Sequence, residues 1–289
     1  MCLLSAVGEL DADRLVTALA EIFRAAPEEV EVVDEGDDPE GRNWNALVHC
    51  DRSALRGHIS WFLDVYVQKQ VAERPSGAEV ARRLAGRLWR VVLYPADGVR
   101  PSAYWLVTPE GLVTRARLYE SDDEEPVYTI DAVEDPVPHL PDVRVELIRE
   151  VIREQPDPTP VSGEFSASAE ACPGTGDALW CAMDSLGAWE KSVYRVESDW
   201  PPRGRYPADT YAEDLEIRDE IGGMLPALPQ ELGDLLRCSA ERVDERFRDA
   251  TRDDGGQALS AALGISRIAL ADKGWWWHRR PVRLSWEGL

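Results

Sequence analysis

Apolar positions 15, 19, 22 and 23 recur at helical spacing, so Leu15, Leu19, Ile22 and Phe23 predict an amphipathic helix over 11–26. Asp11 can cap this helix and Pro27 stops it. Three strand-like runs follow at about 29–34, 44–50 and 58–67. In the third, Ile59, Trp61, Leu63, Val65 and Val67 alternate with His58, Ser60, Phe62, Asp64 and Tyr66. Ser76, Gly77, Ala78 and Glu79 form a capping box, and Val80, Leu84 and Leu88 continue it as a buried stripe. Further apolar runs occupy 90–94, 103–107, 112–118 and 127–131. Thr108, Pro109, Glu110 and Gly111 carry turn chemistry between two of them, so a hairpin is expected there.

The order of helix, three strands, helix and three or four strands predicts an α+β fold. Its N-terminal part is a mainly antiparallel sheet with helices on one face, and a short helix at 142–153 closes it. Residues 154–176 are rich in Pro, Ser, Gly, Thr and Glu and read as a linker. Beyond it, helical spacing at 177–190, 209–225, 229–251 and 256–264 predicts a mostly helical region. Residues 275–281 end it as an extended Trp-rich tail packed back on the helices. The expected organisation is therefore an α+β domain over 1–153, a linker over 154–176 and a helical domain over 177–289.

Charge changes this picture most. Fifty-four acids against 32 bases give a net charge of −22. Such a surface repels nucleic-acid phosphates and anionic lipid heads and attracts a basic protein partner, so neither nucleic acid nor membrane is an expected partner. All the bases except Lys69, Lys191 and Lys273 are arginine. No stretch has the roughly 20 consecutive apolar residues that span a bilayer. Residues 1–9 make a poor signal peptide, and Cys2, Cys50, Cys172, Cys181 and Cys238 form no paired set. Free thiols and a cytoplasmic location are expected.

Four groups of residues could carry chemistry. His49 and His58 fall on adjacent predicted strands, and His58 shares a face with Asp64 and Tyr66. Together they are weak candidates for acid–base work, with no metal-ligand spacing. Two acidic runs flank the strands. One contains Glu28, Glu29, Glu31, Asp34, Glu35, Asp37, Asp38 and Glu40; the other contains Asp122, Asp123, Glu124 and Glu125. Neither has the ligand offsets of a calcium loop. Both suit docking of basic side chains, with Trp44, Tyr119 or Tyr128 as aromatic anchors. Glu213, Glu216 and Glu220 share one helix face, as paired carboxylates of glycoside or phosphate chemistry would, but the ordinary buried stripe of Ile217 and Ile221 suits a solvated acidic surface. Trp275, Trp276, Trp277, His278, Arg279 and Arg280 could grip an anion, or could answer the chain's own acids.

Phosphate-loop, dinucleotide-binding and nucleophile-elbow signatures are all missing, so no cofactor is implied. The leading expectation is an acidic protein-binding module, such as an inhibitor or immunity protein that masks a basic effector. An enzyme with acid–base residues on the N-terminal sheet and a DNA-mimic or scaffolding protein are the alternatives. Oligomeric state is not legible.

Overall fold

The computed structural model describes residues 2–96, 99–169, 176–200 and 204–287. The chain divides into two compact units, Met1–Pro156 and Asp157–Leu289. The fold is α+β, with a mixed sheet in the N-terminal half and helices in the C-terminal half.

The first unit is built on one sheet. Its strands are β1 (Cys2–Ala6), β2 (Val30–Asp34), β3 (Val48–Ala54), β4 (Arg56–Gly57), β5 (Trp61–Val67), β6 (Val92–Pro95), β7 (Ala103–Val107), β8 (Val113–Glu120), β9 (Val127–Val133) and β10 (Arg144–Val145). They lie in the order β10-β9-β8-β7-β6-β1-β5-β3-β2, and the pairing is antiparallel except for β2–β3, β9–β10 and β4–β9. The apolar run at 2–6, which no alternation marks as a strand, supplies the central strand between β5 and β6.

Helices α1 (Ala12–Phe23) and α2 (Gly77–Leu88) start where the caps predict. The Asp11 side chain accepts from Arg14 N–H, and Ser76 Oγ accepts from Glu79 N–H. They bury Leu15, Leu19, Ile22, Phe23, Val80, Leu84 and Leu88 against Leu4, Val48, Cys50, Leu63, Val65 and Val92. The expected helix at 142–153 is two elements, β10 and then α3 (Arg149–Glu154). Glu146 and Glu150 both pair with Arg117, and Ile148 N–H donates to buried Glu134, so the chain is drawn out before it can coil.

A second core of Ile59, Leu93, Leu106, Ala116, Leu118, Ile130 and Val133 occupies the other face of the sheet. It is covered because the tip of the β3–β5 hairpin reaches β9. Arg56 and Gly57 pair in parallel with Val127 and Tyr128, and Leu55 and Ile59 pack inward. The other half of that face, over β2, β3, β5 and β1, is crossed only by the return loop between β2 and β3 among the described residues.

The second unit contains α4 (Pro160–Ala169), α5 (Gly176–Glu197), α6 (Ala208–Met224), α7 (Gln230–Ala250), α8 (Gln257–Leu263) and the antiparallel pair β11 (Thr251–Asp253) and β12 (Arg279–Pro281). Within 154–176, where composition suggests a linker, 160–169 form a helix that buries Val161, Phe165 and Ala169. Residues 170–175, Cys172 among them, lie outside the described residues. The tail expected to be extended begins as a 3-10 turn, Trp275–His278, and only then becomes β12. Asp219 draws the turn in by accepting from the indole N–H of Trp276 at 2.9 Å and of Trp277 at 3.0 Å.

Candidate functional site

The open sheet face is assembled by register. Val30, Val48, Cys50, Leu63 and Val65 point to the helices, so the intervening residues point the other way. Glu31, His49 and Tyr66 fall in one row across β2, β3 and β5; Val33, Asp51, Asp64 and Leu3 fall in the next. Within the first row, His49 Nδ1 lies 3.0 Å from Glu31 Oε2, and its ring centroid is 6.3 Å from that of Tyr66. His49 is buried, whereas Tyr66 is 52% exposed.

The parallel β2–β3 pairing forces the chain to return over this face, and it does so through residues 35–47. Arg42 descends from that return loop and pairs with both carboxylate oxygens of Asp51, its Nη1 lying 3.3 Å from Oδ2. Its Cζ sits 4.8 Å from the Trp44 ring, and Asn43 N–H donates to Glu31. Two polar atoms here are buried without a hydrogen-bond partner among the described residues, Arg42 Nε and Asp64 Oδ1. Arg42 Nε is 3.6 Å from Glu31 Oε2, beyond hydrogen-bond range.

Burial works against ionisation of Glu31. The Asn43 N–H, His49 and Arg42 outweigh it and hold the carboxyl below its ordinary value of 4.5. A depressed carboxyl stabilises the fold above its unfolded value, and that contribution is lost as pH falls through the folded value. Acid titration below about pH 4.5 should therefore release the Arg42–Asn43 segment before the helical side of the sheet. Hydrogen exchange along the titration checks this; simultaneous loss of protection at 43 and at 84–88 would contradict it.

The four weak catalytic candidates do not converge. His49, Asp64 and Tyr66 share the open face, but Asp64 stands opposite Asp51 in the adjoining row rather than beside His49. His58 is not in a regular strand. Its N–H donates to Tyr128 O at 2.8 Å, and its Nδ1 accepts from Ile130 N–H at 3.0 Å, so the imidazole is engaged in closing the second core. The Cys50 thiol is pushed up to about 12, chiefly by burial, and is unsuited to nucleophilic work. Among the described residues no group of three or more His, Cys, Asp or Glu is placed to hold a metal ion.

The first acidic run separates into parts with different roles. Glu29 accepts from Ala26 N–H, Glu31 belongs to the open face, and Asp34 pairs with Arg52. Glu35, Asp37, Asp38 and Glu40 remain exposed in the return loop. Asp122, Asp123, Glu124 and Glu125 are exposed at the β8–β9 tip, beside Tyr119, which is 51% exposed. Both loops attach to the same line of chain: Glu35 N–H donates to Arg52 O at 2.9 Å, and the Arg56 guanidinium pairs with Glu125. Arg52 lies in β3 and Arg56, four residues further along the chain, in β4. Trp44 is 65% exposed, but its carbonyl accepts from Gln68 at the opposite end of β3, away from the second loop.

Along β8, β9 and the chain that follows, acids and bases are matched. Arg117 pairs with Asp131, Glu146 and Glu150, and Arg115 with Glu134. The Glu35, Glu40, Asp122 and Glu124 carboxylates, by contrast, have neither a hydrogen bond nor an ion pair among the described residues.

In the second unit, Glu213, Glu216 and Glu220 lie exposed along α6, as expected of a solvated face. The Trp-rich tail is satisfied internally. Trp277 is buried, Trp275 lies under Arg248 with Cζ 3.9 Å from the ring centroid, and Trp276 lies under Arg218 at 4.5 Å.

The element missed from sequence is the Arg42 strap with its Glu31–His49–Asp51 seat. Glu31 is hidden inside an acidic run, and only the β2–β3 register brings it to His49. Among the described residues no helix is long and apolar enough to cross a membrane. No protein-family model, curated protein or solved structure matches this chain.

Proposed function

We propose that the first unit is a protein-binding module that captures a basic partner through the acidic loops at 35–40 and 122–125. An inhibitory or immunity role toward a cationic effector is the biological form of this reading. The observation that carries it is the attachment of both loops within one short run of chain, at Arg52 near the end of β3 and at Arg56 in β4. The Glu35, Glu40, Asp122 and Glu124 carboxylates, unpaired among the described residues, are thereby gathered where one partner can meet them. Tyr119 supplies an exposed aromatic beside the second loop, and complementary charge would speed the encounter. The open sheet face offers no assembled acid–base set, which weighs against the enzyme reading.

The test uses a peptide of ten arginines as the cationic probe, titrated into the full chain at low salt. A variant carrying Glu35→Gln, Glu40→Gln, Asp122→Asn and Glu124→Gln should bind about tenfold more weakly. A charge-matched control carrying Glu216→Gln, Glu220→Gln, Glu231→Gln and Glu241→Gln in the second unit should change affinity by less than about threefold. Equal losses in the two variants would reduce the acidity to a diffuse property of the surface and overturn the proposal.

A further inference from the structure

Arg42 holds its place on this sheet face through Asp51, Glu31 and the Trp44 ring, with one nitrogen left without a hydrogen bond. It reaches Asp51 with two nitrogens, while its Nε is buried without a hydrogen bond, 3.6 Å from Glu31 Oε2. Directly across the strand pair from Asp51, Asp64 has a buried oxygen with no donor. A donor and an acceptor are thus left over within one pair of register rows, on a face where each orphaned polar atom costs stability. An arginine placed between Asp51 and Asp64 could satisfy both carboxylates. Among the described residues Arg42 pairs with Asp51 and Glu31 and makes no hydrogen bond or ion pair with Asp64. The segment that carries it, residues 35–43, is the first acidic loop itself.

Resting on the partner reading above, we infer that Arg42 is an internal placeholder for an arginine of the basic partner. The loop folds its own guanidinium onto the Asp51–Asp64 seat and lowers the apparent affinity for an incoming one. Binding exchanges Arg42 for the partner's side chain, which gains Asp64 as a second carboxylate. Trp44, over which Arg42 now lies, and Tyr66, half exposed in the neighbouring row, provide aromatic walls for the incoming guanidinium. The charge of the seat selects the occupant: Glu31, Asp51 and Asp64 lie in its two rows, with Arg42 as the cation now held there. A competing internal ligand lowers apparent affinity by the fraction of molecules in which it is seated, so its removal must strengthen binding.

The experiment titrates the same ten-arginine peptide into the unaltered protein and four variants of it. Arg42→Ala should bind about tenfold more tightly than the unaltered protein, and Arg42→Lys, which keeps the charge but loses the two-pronged fork, should gain less. Arg237→Ala removes an equal charge in the second unit and should gain less than about twofold. Adding Asp64→Asn to Arg42→Ala should abolish the gain. Far-ultraviolet circular dichroism confirms folding, and Arg42→Lys carries the test if Arg42→Ala unfolds. Unchanged or weaker binding by both Arg42 variants overturns the placeholder, as does a gain that survives Asp64→Asn. If the unaltered protein binds and only that gain is missing, the placeholder alone fails; if no form binds the peptide, the partner reading fails with it.

Discussion

Glu190→Ala should destabilise the second unit by about 3 kcal/mol and lower its melting temperature by about 10 °C. Glu190 lies in α5 and is fully buried. One of its oxygens accepts from Val161 N–H at 3.1 Å and from Arg246 Nη1 at 2.9 Å; the other accepts from Ser162 N–H at 2.8 Å. Those two amides are the first free donors of α4, where the helix dipole also favours a negative charge. Alanine would leave two buried N–H groups without acceptors and remove half of the seating of Arg246, which keeps Glu197 at 2.6 Å. The remaining pair places the cost toward the lower end of the range for a broken buried ion pair. Hydrogen exchange should locate the loss in 160–169, with the α5–α7 contact spared. An unaltered melting temperature with full protection at 161 and 162 would show that α4 docks through Val161 and Phe165 alone.

That dependence explains why α4 is not legible locally. Its sequence, PVSGEFSASA, carries proline, glycine and three serines, and the carboxylate that caps it is 28 residues further on. The elements that could be read are those whose determinants are local. Asp11 with Leu15, Leu19 and Ile22 defines α1, the 76–79 capping box defines the start of α2, and the Thr108–Gly111 turn defines the β7–β8 hairpin. By contrast, β1 is five residues long and β4 only two, and both exist through partners more than fifty residues away.

The candidate site divides in the same way. Exposed acids in loops are visible as charge runs, and the two runs are present where the sequence puts them. Their attachment to one short run of chain is not visible, because it depends on the parallel β2–β3 and β4–β9 pairings. The reading of His58 as a neighbour of Asp64 fails for a related reason. Alternation assigns residues to faces only while the strand stays regular, and the chain leaves its ladder at Leu55 and rejoins it at Trp61.

Gly57→Ala tests whether that departure is what organises the acidic loops. Gly57 has φ +107°, a region closed to side chains, and a Cβ there would lie 2.4 Å from Tyr128 O. The obstruction is backbone of the paired strand, so no rotamer change can relieve it. The β4–β9 pairing must separate, and with it the His58 N–H to Tyr128 O bond and the seating of Ile130 N–H on His58. The expected loss is on the order of 3 kcal/mol. It should fall unevenly: exchange at 58 and 130 should quicken, Leu55 and Ile59 should loosen from the second core, and the α1–α2 side should keep its protection. If the partner reading holds, ten-arginine affinity should fall toward that of the four-acid loop variant although no acid has been removed, because Arg56 would no longer hold Glu125 beside the first loop. Weaker exchange protection with unchanged affinity would mean that the loops act independently. Unchanged protection would mean that the sheet closes without this pairing.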